Sequence, residues 1–323
     1  MAGYDFTVCG VATSVKVLRV REMPRIGVTT AILNPGYDVP DRGGPGWNIS
    51  CALDKLGCRV LPVLTYSDCT FGPELDAWLT ARGIPDAGIA RPPEGYAGVA
   101  LMIQDENRDH MTLGPGYGVK DGGVVIRQNY TPELFSDSDL IVLSAPRPEN
   151  AAALVEAIRA SGKPLAFSMR RDPYAFPPQR LREILLASTI VFANESETDY
   201  ITSEFSLKHI TDLFALGKTE IFVQTLGKRG SLVHRKLPDG SCESLTIPVT
   251  ETPVGNVDAV GAGDAYVAGF LFGLRQCAPL PVCAQYGSTL SSFVIEKEGS
   301  TTNLPTLDEL IERNNNRPDA GKE

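Results

Sequence analysis

The sequence has no run of about 18 consecutive apolar residues, the least a membrane-crossing helix needs, so no span and no membrane partner are expected. Its opening stretch, MAGYDFTVCGVATSVKV, lacks the basic segment and long apolar core of a signal peptide. Seven cysteines (9, 51, 58, 69, 242, 277 and 283) form no C-x-x-C pair and are odd in number. That argues against a disulfide frame and for reduced thiols in a cytoplasmic protein. Histidine is scarce: His110, His209 and His234 are far apart and lack metal-ligand spacing. Positive charge is also short. Lys and Arg number 30 against 39 Asp and Glu, a net charge of -9 that repels polyphosphate chains, so no nucleic-acid partner is expected. A small phosphate ligand stays possible, because a few local donors outweigh a distant, screened field.

Both standard phosphate loops are missing too. A G-x-G-x-x-G fingerprint starting at Gly261 would need glycine at 266, where Tyr266 stands. The one G-K-T, at Gly217, Lys218 and Thr219, has Asp212 where a Walker loop needs glycine. No G-x-S-x-G nucleophile elbow occurs either.

What is present is a core-forming composition and a steady rhythm. Of 323 residues, 43% are hydrophobic and 21% charged, ordinary for a globular chain with a large core. The length allows two domains or one large α/β domain. Strand-like runs at 6–12, 59–66, 139–145, 165–169, 189–194 and 220–227 alternate with helical patterns at 47–57, 74–83 and 149–162. Such alternation predicts β-α-β units and a mostly parallel sheet covered on both faces, with ligands beyond the carboxyl ends of the strands. Residues 15–22 with 27–33, and 98–104 with 109–113, read as hairpin strands. They would form a small antiparallel lid over the site, or else edge strands of the main sheet. From Glu312 the chain turns polar and is expected to fray.

One stretch carries chemistry: DAVGAGDAYVAGF, residues 258–270. Gly261, Ala262 and Gly263 offer nearly bare backbone ahead of an apolar helical run. A helix N-terminus of this kind favours an anion, and the lack of side chains lets charged oxygens reach the amides. Asp264 stands at the entrance. It is either a helix cap, worth about 0.5–2 kcal/mol, or a general base, worth about 10²–10⁴ in rate.

This stretch resembles the C-terminal signature of the ribokinase, or PfkB, family of carbohydrate and nucleoside kinases. The usual form is D-T-x-G-A-G-D, and Ala259 replaces the Thr. GGPGWN, with Gly43, Gly44, Gly46 and Asn48, is similar to the family's G-G-x-G-x-N. Asn194 and Glu197 match N-x-x-E, and Thr225, Gly227 and Gly230 match T-L-G-x-x-G. The motifs fall in family order across residues 5–310.

The resemblance implies a three-layer α/β/α, ribokinase-like domain over 1–311, with lid strands near 15–33 and 97–113 and a disordered tail at 312–323. It implies transfer of the ATP γ-phosphoryl group to a hydroxymethyl of a small sugar, with nucleoside and sugar-phosphate acceptors as alternatives. A non-catalytic nucleotide-binding homologue is a further one. Asp264 would be the base, and the amides of Gly261, Ala262 and Gly263 would steady the transferring group. Gly43, Gly44 and Asn48 would hold the acceptor, against a plain loop before a helix. Asn194 and Glu197 would face phosphate and Mg²⁺, Glu197 through water, against a simple helix cap of the same spacing. Thr225, Gly227 and Gly230 would border the nucleotide, against a strand-end turn. Asp258 would lie near a K⁺ site built mainly of backbone oxygens. A homodimer through the lid is expected, the apolar 98–104 stretch needing cover on both faces.

The chain departs from the family twice. Val15, followed by Lys16, stands where an acid usually binds sugar hydroxyls, and no acid lies between Asp5 and Glu22. After the strand at 165–169, D-x-N-x-R is replaced by Ser168, Met169, Arg170 and Arg171. These arginines would pair with an acceptor's phosphate or only form surface ion pairs.

Overall fold

The computed structural model describes residues 3–106, 110–114, 124–252 and 258–317. In chain order the strands are β1 (Tyr4–Arg19), β2 (Asp41–Gly43), β3 (Val60–Tyr66), β4 (Ile89–Ala90), β5 (Val99–Gln104), β6 (His110–Leu113), β7 (Ser138–Leu143), β8 (Leu165–Ser168), β9 (Ile190–Asn194), β10 (Ile221–Thr225), β11 (Ser231–Lys236) and β12 (Cys242–Ile247). The helices are α1 (Pro45–Lys55), α2 (Gly72–Arg82), α3 (Pro148–Ser161), α4 (Pro178–Ala187), α5 (Glu195–Glu204), α6 (Leu213–Leu216), α7 (Ala262–Arg275), α8 (Leu280–Val294) and α9 (Leu307–Asn315).

The main sheet runs β12-β11-β10-β9-β8-β7-β1-β3-β4. Pairing is parallel from β10 through β4 and antiparallel along β10-β11-β12. Strand side chains alternate between faces. Phe6, Val8, Val142, Ala166 and Phe192 join one core with α1, α7, α8 and α9. Cys9, Ile141, Leu143, Phe167 and Val191 join the other with α3, α4 and α5. Burial on both faces explains the unbroken apolar runs. The result is the expected three-layer, mostly parallel α/β/α architecture, an open sheet and not a closed barrel.

The small second sheet departs from a pair of hairpins. β1 is one strand of 16 residues that leaves the central sheet and continues into the lid. There it pairs with β2 antiparallel, placing Val15 opposite Asp41, and with β5 in parallel, placing Val15 beside Ala100. β5 and β6 form the antiparallel pair expected from 98–104 and 109–113, with residues 107–109 outside the described residues. The lid sheet is therefore mixed.

The expected strand at 27–33 does not form; only one bridge, Val20 to Ile32, joins the segment to the end of β1. The reason is a side chain. Asn34 accepts from the Arg19 amide at 2.8 Å and donates to the Val17 carbonyl at 2.9 Å, taking the edge positions that a neighbouring strand would use. The polar tail also begins later than residue 312. Thr306 caps α9 with Glu309, and buried Leu310 and Asn314 hold the helix through Asn315. Residues 318–323 lie outside the described residues.

Candidate active site

The motif residues meet beyond the carboxyl ends of β8, β9 and β10, where α7 begins. Gly261 precedes α7 with φ 80, and a Cβ there would sit 2.5 Å from the Ser300 Cβ, so only glycine fits. Asp264 is the third residue of α7, and no side chain caps this helix. The capping role open to Asp264 is thus not the one it plays.

Its carboxylate, in a residue only 2% exposed, is held from both sides. Asn48 Nδ2 donates to Oδ2 at 2.8 Å, and Arg170 Nη2 donates to Oδ1 at 2.5 Å. Asn48 is aimed in turn by the Ser300 hydroxyl, which donates to its Oδ1 at 2.8 Å. The Asp264 charge holds the Arg170 guanidinium above the usual arginine range, against the effect of burial.

Of the three small residues, Ala262 already spends its amide on the Ala259 carbonyl at 3.2 Å. Gly263 is one turn too early for an intrahelical bond, and a Cβ placed on it meets nothing within 4 Å. The open helix mouth is therefore centred on Gly263. On the α1 side of Asp264, Gly43 faces Ser300, Asn48 and Val15, while Gly44 enters α1 with φ 95 directly against the Val11 carbonyl. Pro45 opens α1 two residues earlier than the pattern from 47 suggested, because its fixed φ suits a first helical position.

Asn194 and Glu197 form a reciprocal capping box on α5: the Glu197 amide donates to Asn194 Oδ1 at 2.9 Å, and the Asn194 amide to Glu197 Oε2 at 2.8 Å. The helix-cap reading holds, and it also aims Glu197 at the site. Burial raises the Glu197 carboxyl, with Asp264 adding to the rise and the Asn194 amide and Arg170 opposing it. The Glu197 carboxylate lines a small cavity of about 70 Å³ with Ser168, Arg170, Asn194, Thr225 and Gly263. Thr225 and Gly263 also line a larger cleft of about 360 Å³, with Gly227, Gly230, Ala262 and Tyr266. The two cavities share a wall at the mouth of α7.

Asp258 is buried, and each of its oxygens already accepts an amide: Val260 at 3.0 Å and Gly299 at 3.4 Å. Arg19 lies 4.0 Å from it. A monovalent ion beside Asp258 would thus depend on backbone oxygens.

Two residues escaped the sequence reading, and the partner of a third, Arg170, did too. Ser300 lies in no motif. Lys228 lies inside T-L-G-x-x-G and borders the larger cleft. The nearby cations Arg229 and Lys236 sit apart from the cleft wall, Arg229 on Glu195 at 2.6 Å and Lys236 on the Phe214 carbonyl at 2.8 Å. Arg170 was left between a phosphate partner and a surface ion pair; it is the counter-ion of Asp264.

An open helix mouth bordered by a cleft, with a buried carboxylate one residue further on, lies at the carboxyl edge of the parallel sheet of a ribokinase-like fold, the edge where such sheets bind ligands. The chain belongs to the pfkB family of carbohydrate kinases, whose description matches residues 32–307. It is a carbohydrate or nucleoside kinase of that family. A nucleoside kinase of Methanothermobacter thermautotrophicus is 25% identical over 298 residues, 92% of this chain and 91% of its own. One from Methanocaldococcus jannaschii is 31% identical over 274 residues, 84% of each chain. The structure of Burkholderia thailandensis nucleoside kinase in complex with inosine shares the fold at TM-score 0.75 and 17% identity, covering 97% of this chain and 98% of that one.

The two glycines of the mouth should separate by substitution. Gly263→Ala should melt at or slightly above the parent temperature, since alanine favours a helix by roughly 0.8–1.0 kcal/mol over glycine, yet lose turnover because the methyl enters the open mouth. Gly261→Ala should lose about 1–3 kcal/mol of stability. Equal behaviour of the two in thermal melts and rate assays would contradict this geometry.

Proposed function

We propose that this chain transfers the γ-phosphoryl group of ATP to the hydroxymethyl of a nucleoside. One observation carries the reading: the buried Asp264 carboxylate stands beside an open helix mouth, with Asn48 and Gly43 on one side and the nucleotide-sized cleft on the other.

Asp264 accepts the proton of the acceptor hydroxyl as that oxygen bonds to the γ-phosphorus and the bond to the ADP oxygen breaks. The Gly263 amide and the α7 dipole favour charge on the transferring group. Asn48, pinned by Ser300, keeps the carboxylate turned toward the acceptor. Thr225, Gly227 and Gly230 border the nucleotide. Among the described residues no cluster of three or more acidic, histidine or cysteine side chains forms a metal cage. Glu197 alone fits a Mg²⁺ that arrives on the nucleotide and keeps its waters; when bound, that ion would neutralise phosphate charge. K⁺ rests on the resemblance alone. A cytoplasmic setting is proposed on the cysteine pattern of the sequence alone.

The acceptor wall favours a nucleoside over the small sugar that the motifs first suggest. Val15, Val17, Ala100 and Met102 share one face of the lid sheet by register, an apolar strip next to Gly43. Such a strip suits the flat face of a base better than a ring of hydroxyls, and the two relatives named nucleoside kinases agree with it. A phosphorylated sugar has less to hold it: Arg171 lies over the Tyr200 ring at 4.9 Å, and Arg170 faces the cavity of Asn194, Glu197 and Thr225 on the nucleotide side.

A panel of nucleosides, pentoses, hexoses and sugar phosphates, read by ADP formation, tests this. A nucleoside should give the highest kcat/KM, and Asp264→Asn should lower kcat by about 10²–10⁴ while the variant stays folded and binds ATP. Preference for a free sugar would overturn the acceptor, near-full activity of the variant would overturn the mechanism, and no turnover with any acceptor would favour a binding-only homologue.

The same reading includes a homodimer through the lid. Ile26, Val28, Val39, Met111 and Leu113 are exposed there, Ile26 and Val39 at 105% and 70%. Light scattering at micromolar protein should report twice the 34.8 kDa chain mass; a monomer mass would reject the dimer.

A further inference from the structure

Arg170 sets a physical problem. A general base needs an oxygen ready to take a proton, yet Asp264 gives Oδ1 to a guanidinium at 2.5 Å and Oδ2 to Asn48 at 2.8 Å. Both carboxylate oxygens thus already accept from protein donors, and the one facing Arg170 is covered by a guanidinium where a hydroxyl would have to approach. If that contact persisted through the reaction, the best-placed acid in the molecule would be held back by its neighbour.

Three further observations bear on what Arg170 is for. The segment is anchored: β8 ends at Ser168, Met169 is buried, and its amide donates to the Phe192 carbonyl at 2.8 Å, which fixes where the next side chain emerges. The guanidinium is only partly used, since its Nε is buried without a hydrogen-bond partner. It also faces the right space. Arg170 lines the small cavity with Asn194, Glu197, Thr225 and Gly263, and Thr225 and Gly263 are the residues that this cavity shares with the nucleotide cleft. A triphosphate entering by the cleft would bring its last phosphoryl group past Gly263 to this guanidinium.

We infer that Arg170 is a catalytic residue that exchanges partners, pairing with Asp264 in the empty site and with the γ-phosphoryl oxygens once the nucleotide is bound. This rests on the kinase reading above. A planar guanidinium can bond two phosphoryl oxygens at once, and the phosphoryl group offers more negative charge than one carboxylate. The exchange neutralises charge on the transferring group and frees Asp264 Oδ1 for the acceptor hydroxyl. No atom is gained or lost in the exchange; the proton, the new O–P bond and the departing ADP oxygen follow the path already given. Premature deprotonation is also discouraged, because the base is released only when the donor is in place.

The test is nucleotide affinity, read by calorimetry without turnover, on Arg170→Gln and Arg170→Lys beside the parent. Arg170→Gln should bind a non-hydrolysable ATP analogue at least about tenfold more weakly and ADP with unchanged affinity, because only the γ-phosphoryl group meets this side chain. Its kcat should fall about 10²–10³-fold, the range for removing one donor to developing charge, with acceptor KM little changed. Arg170→Lys should recover part of the analogue binding. Equal losses for ADP and the analogue, or unchanged analogue binding with only a lower melting temperature, would show Arg170 to be a structural partner of Asp264 and overturn the inference. Because analogue binding does not need the base, an active Asp264→Asn would refute the kinase mechanism without touching this result, and the reverse holds too.

Discussion

The site depends on one buried charge. Asp264 keeps a carboxylate in a nearly closed setting at the mouth of α7, and an ion so placed is tolerated only when its oxygens are met by donors. Asn48 and Arg170 meet them from opposite sides. These two come from distant parts of the chain, α1 and the turn after β8, so the carboxylate draws three segments to one point. Ser300 adds a fourth through Asn48. Removing any of these would leave the acid misaimed or unpaired even if the sheet were untouched.

The sheet explains why those segments converge. Parallel strands deliver every following turn to the same edge, so the ends of β8, β9 and β10 and the start of α7 share one crevice. β1 adds the lid by running past that edge instead of turning back. One strand thus supports both the core, through Phe6 and Val8, and the lid beside Gly43, through Val15. Its far end is finished by the Asn34 amide, which leaves the apolar residues of 26–39 uncovered by their own chain.

Much of this was legible in the sequence for local reasons. Apolar runs bounded by glycine mark buried strands and helix ends; Gly83 and Gly162, for example, end α2 and α3 in the left-handed conformation. Two of the four motifs, the one at Thr225, Gly227 and Gly230 and the one at Ala262 and Gly263, gave residues of the cleft because bare backbone is a strong signal. The rest was set by long-range pairing. The parallel match of β1 to β5 has no local mark, and an apolar segment such as 27–33 reads as a strand whether or not an edge is open to it. Arg170 was visible as a departure from the family pattern, but its partner lies 94 residues on, and no spacing rule connects them. Ser300 acts through one hydroxyl and carries no pattern at all.

The central claim is that Asp264 touches the reacting alcohol. A crystal structure of the protein with a non-hydrolysable ATP analogue and a nucleoside is the most direct measurement. The account predicts the acceptor hydroxyl within about 2.6–3.2 Å of the Asp264 carboxylate, with the terminal phosphoryl group before Gly263. A ligand-filled site in which that hydroxyl lies elsewhere, and Asp264 contacts only protein, would contradict it.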